Sequence, residues 1–207
     1  MAIDQQEIDA RRHLARKREI VERLLPVVCQ RVVAVGSYRD VRVEDLLRDA
    51  GLSRSTFYRY FSDKNQLLVA LGEPVFDAVR AAAIRPWDRA APPTRDELHA
   101  QLRHNFEIYL PHVPVISAMA EAAYSAPAVR ELVERGFVEV HRAIAGHIKQ
   151  GQHAGFIRPE VLADETAAWI TWMAQRGMTQ LAVEQPAALD RYASSLATMV
   201  WRTVYQR

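Results

Sequence analysis

The chain has 207 residues, 49% hydrophobic and 25% charged, with a formal net charge of +2. These are ordinary figures for a globular protein of one compact domain, or of a small domain joined to a larger one, and they exclude a fibrous or disordered class. One cysteine, Cys29, excludes an intrachain disulfide, argues against a cysteine-ligated metal site, and fits a reducing, cytoplasmic setting.

The N-terminus, MAIDQQEIDARRHLARKRE, is polar throughout and has no apolar core of a secretory signal. Its run from Arg11 to Arg18 is the densest basic block of the chain. The first 64 residues hold 13 Lys and Arg against 10 Asp and Glu, a mildly basic balance compatible with a nucleic-acid partner.

No stretch alternates apolar and polar residues with the β-branched richness of a sheet, so the chain reads as all-α. A first helix is predicted from Asp9 to Val35, with Ile20, Leu24, Val28, Val32 and Val35 on one face and Pro26 inside it. Gly36 ends it. Two short helices follow, Val43–Ala50 and Arg54–Phe61, split by Gly51, Leu52 and Ser53. Asp63 is placed to cap a long helix, Lys64–Ala83, which Pro74 interrupts. Three prolines between Ile84 and Thr94 mark that segment as a linker.

Thr94 and Glu97 have the spacing of a capping box and open a helix to Tyr109. Pro111 and Pro114 break the chain, and a short helix over Val115–Tyr124 follows. Another begins at Pro127 and runs to Ala154, before Gly155. Two last helices are expected at Val161–Val183 and Pro186–Tyr205, giving about nine in all. The stretch from Thr166 to Val183 is the least polar, yet Gln175, Arg176 and Gln180 make it a buried helix rather than a membrane span.

The segment from Val43 to Leu68 carries the function. Leu46, Leu47 and Ala50 give the first short helix an apolar stripe, and Gly51 suits the left-handed turn that ends it. Ser53 can cap the second helix, on which Phe57 and Phe61 point inward together. The outer face then holds Arg54, Ser55, Thr56, Tyr58, Arg59 and Tyr60, with no acid before Asp63. Cationic, hydroxyl and aromatic groups on one short helix are what a major-groove reader needs. Arg54 has the fork that pairs with guanine O6 and N7.

Over some 25 residues this segment resembles the TetR family of transcriptional regulators. The resemblance rests on Ala50-Gly51-Leu52-Ser53, Thr56-Phe57-Tyr58, Arg59-Tyr60-Phe61 and Lys64, followed by Leu67-Leu68. It implies an N-terminal three-helix DNA-binding domain over 1–63 and a larger helical domain over 64–207 for ligand binding and dimerisation. It places Arg54, Ser55 and Thr56 at base- or phosphate-reading positions, Tyr58 on a phosphate or thymine methyl, and Arg59, Tyr60 and Lys64 on phosphates. Arg42 stands where the family often has a phosphate-touching Thr or Ser, and Ser37 is one extra residue in the loop after Gly36.

The C-terminal sequences Trp172–Arg176 and Leu196–Tyr205 look like the EthR-like branch of that family, whose members have a deep apolar ligand tunnel. Aromatic and methionine residues that would line such a pocket are Phe106, Tyr109, Met119 and Phe137, together with Trp169, Trp172 and Met173. The last helix carries one apolar stripe of Leu189, Ala193, Leu196 and Val200, and a second of Ser194, Ala197, Trp201 and Tyr205. A helix apolar on two sides needs two partners, which assigns Ala197, Trp201 and Tyr205 to a homodimer interface.

The expected function is therefore a ligand-responsive regulator, a repressor, that binds a palindromic double-stranded DNA operator as a homodimer and answers to a small apolar effector. No cofactor, metal or membrane partner is expected. An enzyme is disfavoured, because no nucleophile elbow, phosphate-cradling loop or zinc motif occurs. The alternative is an all-helical small-molecule or lipid carrier without a DNA role, which leaves Arg54 to Lys64 unexplained.

Overall fold

The computed structural model describes residues 5–206. Met1–Asp4, which open the polar N-terminus and the predicted domain 1–63, and Arg207, which closes the predicted domain 64–207, lie outside the described residues. The helices are α1 (Gln5–Val35), α2 (Val43–Ala50), α3 (Arg54–Tyr60), α4 (Lys64–Ile84), α5 (Arg95–Tyr109), α6 (Val113–Ala122), α7 (Pro127–His153), α8 (Ala163–Arg176) and α9 (Leu189–Val204). No strand occurs among the described residues.

The chain divides into two compact units. The first joins everything up to Pro74 with Pro114–Leu132, and the second joins Val75–Val113 with Val133 onward.

In the first unit, α1 buries Ile20, Leu24, Val28 and Val32. The stripe stops there, for Val35 is exposed. Gly36 takes φ +86°, and its amide donates to Val32 to close the helix. α2 buries Leu46, Leu47 and Ala50. Gly51 adopts φ 59° and ψ 39°, and the Leu52 amide reaches the Leu47 carbonyl at 2.9 Å. That paired closure satisfies carbonyls the last turn of α2 would otherwise leave open.

Ser53 caps α3 by accepting from the Thr56 amide at 3.1 Å. Asp63 caps α4 by accepting from the amides of Asn65 and Gln66. Phe57, Phe61, Leu67, Leu68 and Leu71 then share a core from which water is excluded. α6 closes on α4 at Gly72, where a β-carbon would sit 2.2 Å from the Met119 sulfur.

In the second unit, the capping box at Thr94 forms as its spacing predicts, with both reciprocal bonds present. α5 packs along α9. Between α4 and α5, the proline-rich segment expected to be a linker is instead part of the packing. Pro86 and Trp87 are buried, and the Trp87 ring lies 5.8 Å from that of His147. The two apolar residues give the segment a surface to bury, so its prolines shape a packed turn rather than a boundary. The helix expected over Val161–Val183 stops at Arg176, where a π-turn, Gly177–Leu181, follows.

Candidate nucleic-acid interface

α3 is seven residues long, and it sorts its side chains by type. Phe57 faces the core, packed against Phe61 at 5.3 Å. Arg54, Ser55, Tyr58 and Arg59 are exposed, while Thr56 and Tyr60 are half-buried at the edges of that face. The Arg54 side chain is 69% exposed yet held in place, with its guanidinium 5.5 Å from the Tyr58 ring and 3.6 Å from the Glu44 carboxylate. Both neighbours restrict a flexible side chain without shielding it, which lowers the entropy lost on meeting a base. The Ser53 hydroxyl also lies 3.0 Å from that of Ser55 and 2.8 Å from that of Thr56, so a small hydroxyl cluster sits at the start of the helix. Arg42 is exposed at the head of α2 and makes no side-chain cap there.

The loop from Ser37 to Val41 is held from two directions. The Glu121 carboxylate of α6 accepts from the Ser37 hydroxyl at 2.6 Å and from the amides of Tyr38 and Arg39 at 2.9 and 3.2 Å. The Ser37 bond, aided by those amides, holds the Glu121 carboxyl below the usual carboxylate range. On the other side, the Lys64 ammonium donates to the carbonyls of Tyr38, Arg39 and Val41. Desolvation lowers the Lys64 pKa, and the nearby carboxylates of Glu121 and Asp40 oppose that fall.

An ammonium has three N–H donors. With three carbonyls in reach, the Lys64 ammonium is engaged by the loop rather than presented to a phosphate. Ser37, the extra residue, is the one whose hydroxyl meets Glu121. No sequence signal ties Glu121 to this loop, because 83 residues separate it from Tyr38.

A sequence profile of bacterial regulatory proteins of the tetR family matches residues 31–71. The chain is 25% identical over 185 residues to the HTH-type transcriptional regulator EthR of Mycolicibacterium smegmatis, covering 87% of this chain and 83% of that protein. The TetR-family regulator PfmR from Thermus thermophilus has a similar fold, with a TM-score of 0.73 at 18% identity, over 86% of this chain and 97% of that one. So does a transcriptional regulator from Saccharomonospora viridis solved in complex with choline, with a TM-score of 0.68 at 20% identity, over 92% and 100% of the two chains. Residues 31–71 carry a TetR-type N-terminal domain, and the match to EthR along most of the chain supports a TetR-family regulator.

These matches support a DNA-binding transcriptional regulator and not an enzyme. The carrier alternative has no such match, and the matched segment contains α2 and α3. No helix among the described residues is long and apolar enough to cross a membrane. Among those residues, no cluster of His, Cys, Asp and Glu has the makings of a metal site.

The seven residues expected to line one ligand pocket fall into three groups. Phe106 and Tyr109, on α5, are buried in the second unit, where the Gln175 side chain is the polar neighbour of the Tyr109 hydroxyl. Met119 belongs to the first unit, where it fills the space above Gly72. Trp169, Trp172 and Met173 point outward from α8, at 70%, 56% and 39% exposure, and Phe137 stacks on Trp172 at 5.0 Å. The outward group therefore lies at the surface of its unit.

Two of the three residues expected at a dimer interface are covered within one chain. Ala197 and Tyr205 are buried within their own unit. The Tyr205 hydroxyl is 2.8 Å from the His147 imidazole, and the Trp201 indole donates to the Pro93 carbonyl at 3.2 Å. α5 packs along one side of α9, and Tyr205, just past its end, meets His147 of α7 within the same unit. An open, largely apolar groove of about 300 Å³ lies between α8 and α9, lined by Trp169, Ile170, Met173, Met199 and Val200 with Thr166 and Thr203.

Proposed function

We propose that the protein is a repressor that binds a palindromic operator as a homodimer and releases it when a small apolar molecule occupies the second unit. The outward set of Arg54, Ser55, Tyr58 and Arg59 on a capped helix is the observation that carries this reading. Such a set can place a guanidinium on base edges while its neighbours hold phosphates. A two-fold pair of these helices, spaced by about one turn of B-DNA, reads two half-sites.

The exposed α8/α9 groove supports the dimer. Its tryptophans and methionines are large apolar groups that a monomer rarely leaves open together. Effector binding is supported by the buried Tyr109 hydroxyl, which with the neighbouring Gln175 side chain offers a polar anchor in an apolar surround. Choline in the S. viridis relative's structure is a precedent for a small organic ligand in this fold.

The test is a set of duplexes selected by the protein from random sequence, with binding measured against salt. Arg54→Ala is expected to cost about 1–3 kcal/mol on the selected site and to relax preference at one position. An equal loss on every duplex sinks the base-reading role of Arg54.

A further inference from the structure

α1 is 31 residues long, but its buried residues begin only at Ile20. Between Gln6 and Glu19 no side chain is buried. A helical stretch of that length with nothing to bury gains little from packing. It carries five cations between Arg11 and Arg18.

Two contacts fix where this stretch lies. The His13 ring is 4.7 Å from the Tyr60 ring, and the Lys17 ammonium is 5.6 Å from the centre of the Phe61 ring. The turns carrying His13 and Lys17 therefore run beside the C-terminal end of the recognition helix. Arg12 and Arg16 flank them at helical spacing. Arg12 and Arg16 have carboxylate partners, Asp9 and Glu19, but the groups are exposed and such pairs are worth little against a phosphate. Among the described residues, no carboxylate lies within salt-bridge distance of Lys17.

We propose that the first half of α1 is a second DNA-gripping element. Arg12, Arg16 and Lys17, positioned through the His13–Tyr60 contact, hold backbone phosphates flanking the base pairs that α3 reads. The proposal rests on α3 being the recognition helix. An anionic membrane surface is the other polyanion open to such a face. A membrane-lying helix needs an apolar face to insert, and Leu14 is the one exposed large hydrophobic residue in this half of α1 among the described residues. The observations favour DNA.

The experiment compares the full-length protein with its Arg12→Ala, Arg16→Ala, Lys17→Ala triple variant. Probes are a selected duplex, the same duplex trimmed to its central base pairs, a scrambled duplex, and phosphatidylglycerol vesicles. Alanine is the strongest helix former, and far-UV circular dichroism and melting check that the variant keeps its fold. Each lost phosphate contact removes about 0.9 from the slope of log affinity against log salt, so the slope is expected to fall by about 2–3. Selected and scrambled duplexes lose affinity by the same factor, and trimming the flanks weakens the parent protein but not the variant. An unchanged slope, or a loss confined to vesicles, overturns the proposal while leaving α3 intact. Absence of salt-dependent duplex binding by the parent protein overturns the reading of α3, and this proposal with it.

Discussion

The faces of α3 and of the α8/α9 groove are both open to solvent, and they are open for opposite reasons. On α3 the exposed groups are hydrogen-bonding or cationic, and the apolar Phe57 is fully buried. On α8 and α9 the exposed groups include Trp169, Trp172 and Met199. Water solvates the first set at little cost, so α3 can wait for its partner. It solvates the second set poorly, by roughly 25 cal/mol for each Å² left uncovered, so that face favours permanent cover. A face suited to an occasional partner and a face suited to a lasting one thus differ in residue type, and exposure alone does not separate them.

The widest effect is expected from breaking the apolar face. Trp169→Asp is predicted to yield monomers in sedimentation with helicity intact. Operator affinity then falls by at least about 100-fold, since one chain can no longer engage both half-sites at once. A surviving dimer would show that the two faces do not differ in the way described.

A smaller effect sharpens the α3 side by separating cations that serve the fold from cations that are free. Lys64→Met leaves three loop carbonyls short of their donor and is expected to cost about 1–3 kcal/mol of stability in urea unfolding. Its salt slope on DNA should match that of the parent. A reduced slope with unchanged stability would return Lys64 to the phosphate-contacting set.

The smallest effect concerns the inner side of α9. Burial lowers the pKa of His147, aided by Arg89 and opposed by backbone bonds at Arg89 and Trp87, and burial also lowers that of His112. The folded state then binds fewer protons than the unfolded one just below the ordinary imidazole value of about 6.5. Stability is full above that pH and is lost as pH falls toward the depressed folded values, by at most about 1.4 kcal/mol per pH unit for each imidazole. Denaturant melts of the parent and of His147→Gln between pH 7.5 and 5, taken as roughly the window around the free imidazole pKa, should show a shallower pH dependence in the variant. Identical dependence would remove His147 as a source.

The first unit is legible in the sequence because its signals are local. Gly51, Ser53 and Asp63 each act within a few residues, and the structure uses all three as expected. The second unit is less legible for a physical reason. A helix apolar on two sides looks the same whether a residue's cover is another subunit or its own chain, and only coordinates separate Tyr205 against His147 from Tyr205 against a twin. Trp169 and Trp172 read as pocket residues for the same cause, since large aromatic groups suit a cavity and an interface alike. Lys64 escapes the sequence because the family places a cation there, and spacing cannot reveal which acceptors it meets.

The grip on Ser37–Val41 also has a direction. In an ordinary ion pair the two charges face each other, so exchanging them preserves the attraction. Here Glu121 faces amide hydrogens and Lys64 faces carbonyl oxygens, whose polarity is a property of the peptide bond and of no side chain. The arrangement is therefore a lock with a fixed sense: lysine at 121 with glutamate at 64 would set each charge against groups of its own sign, and no mutation in the loop could turn the peptides around.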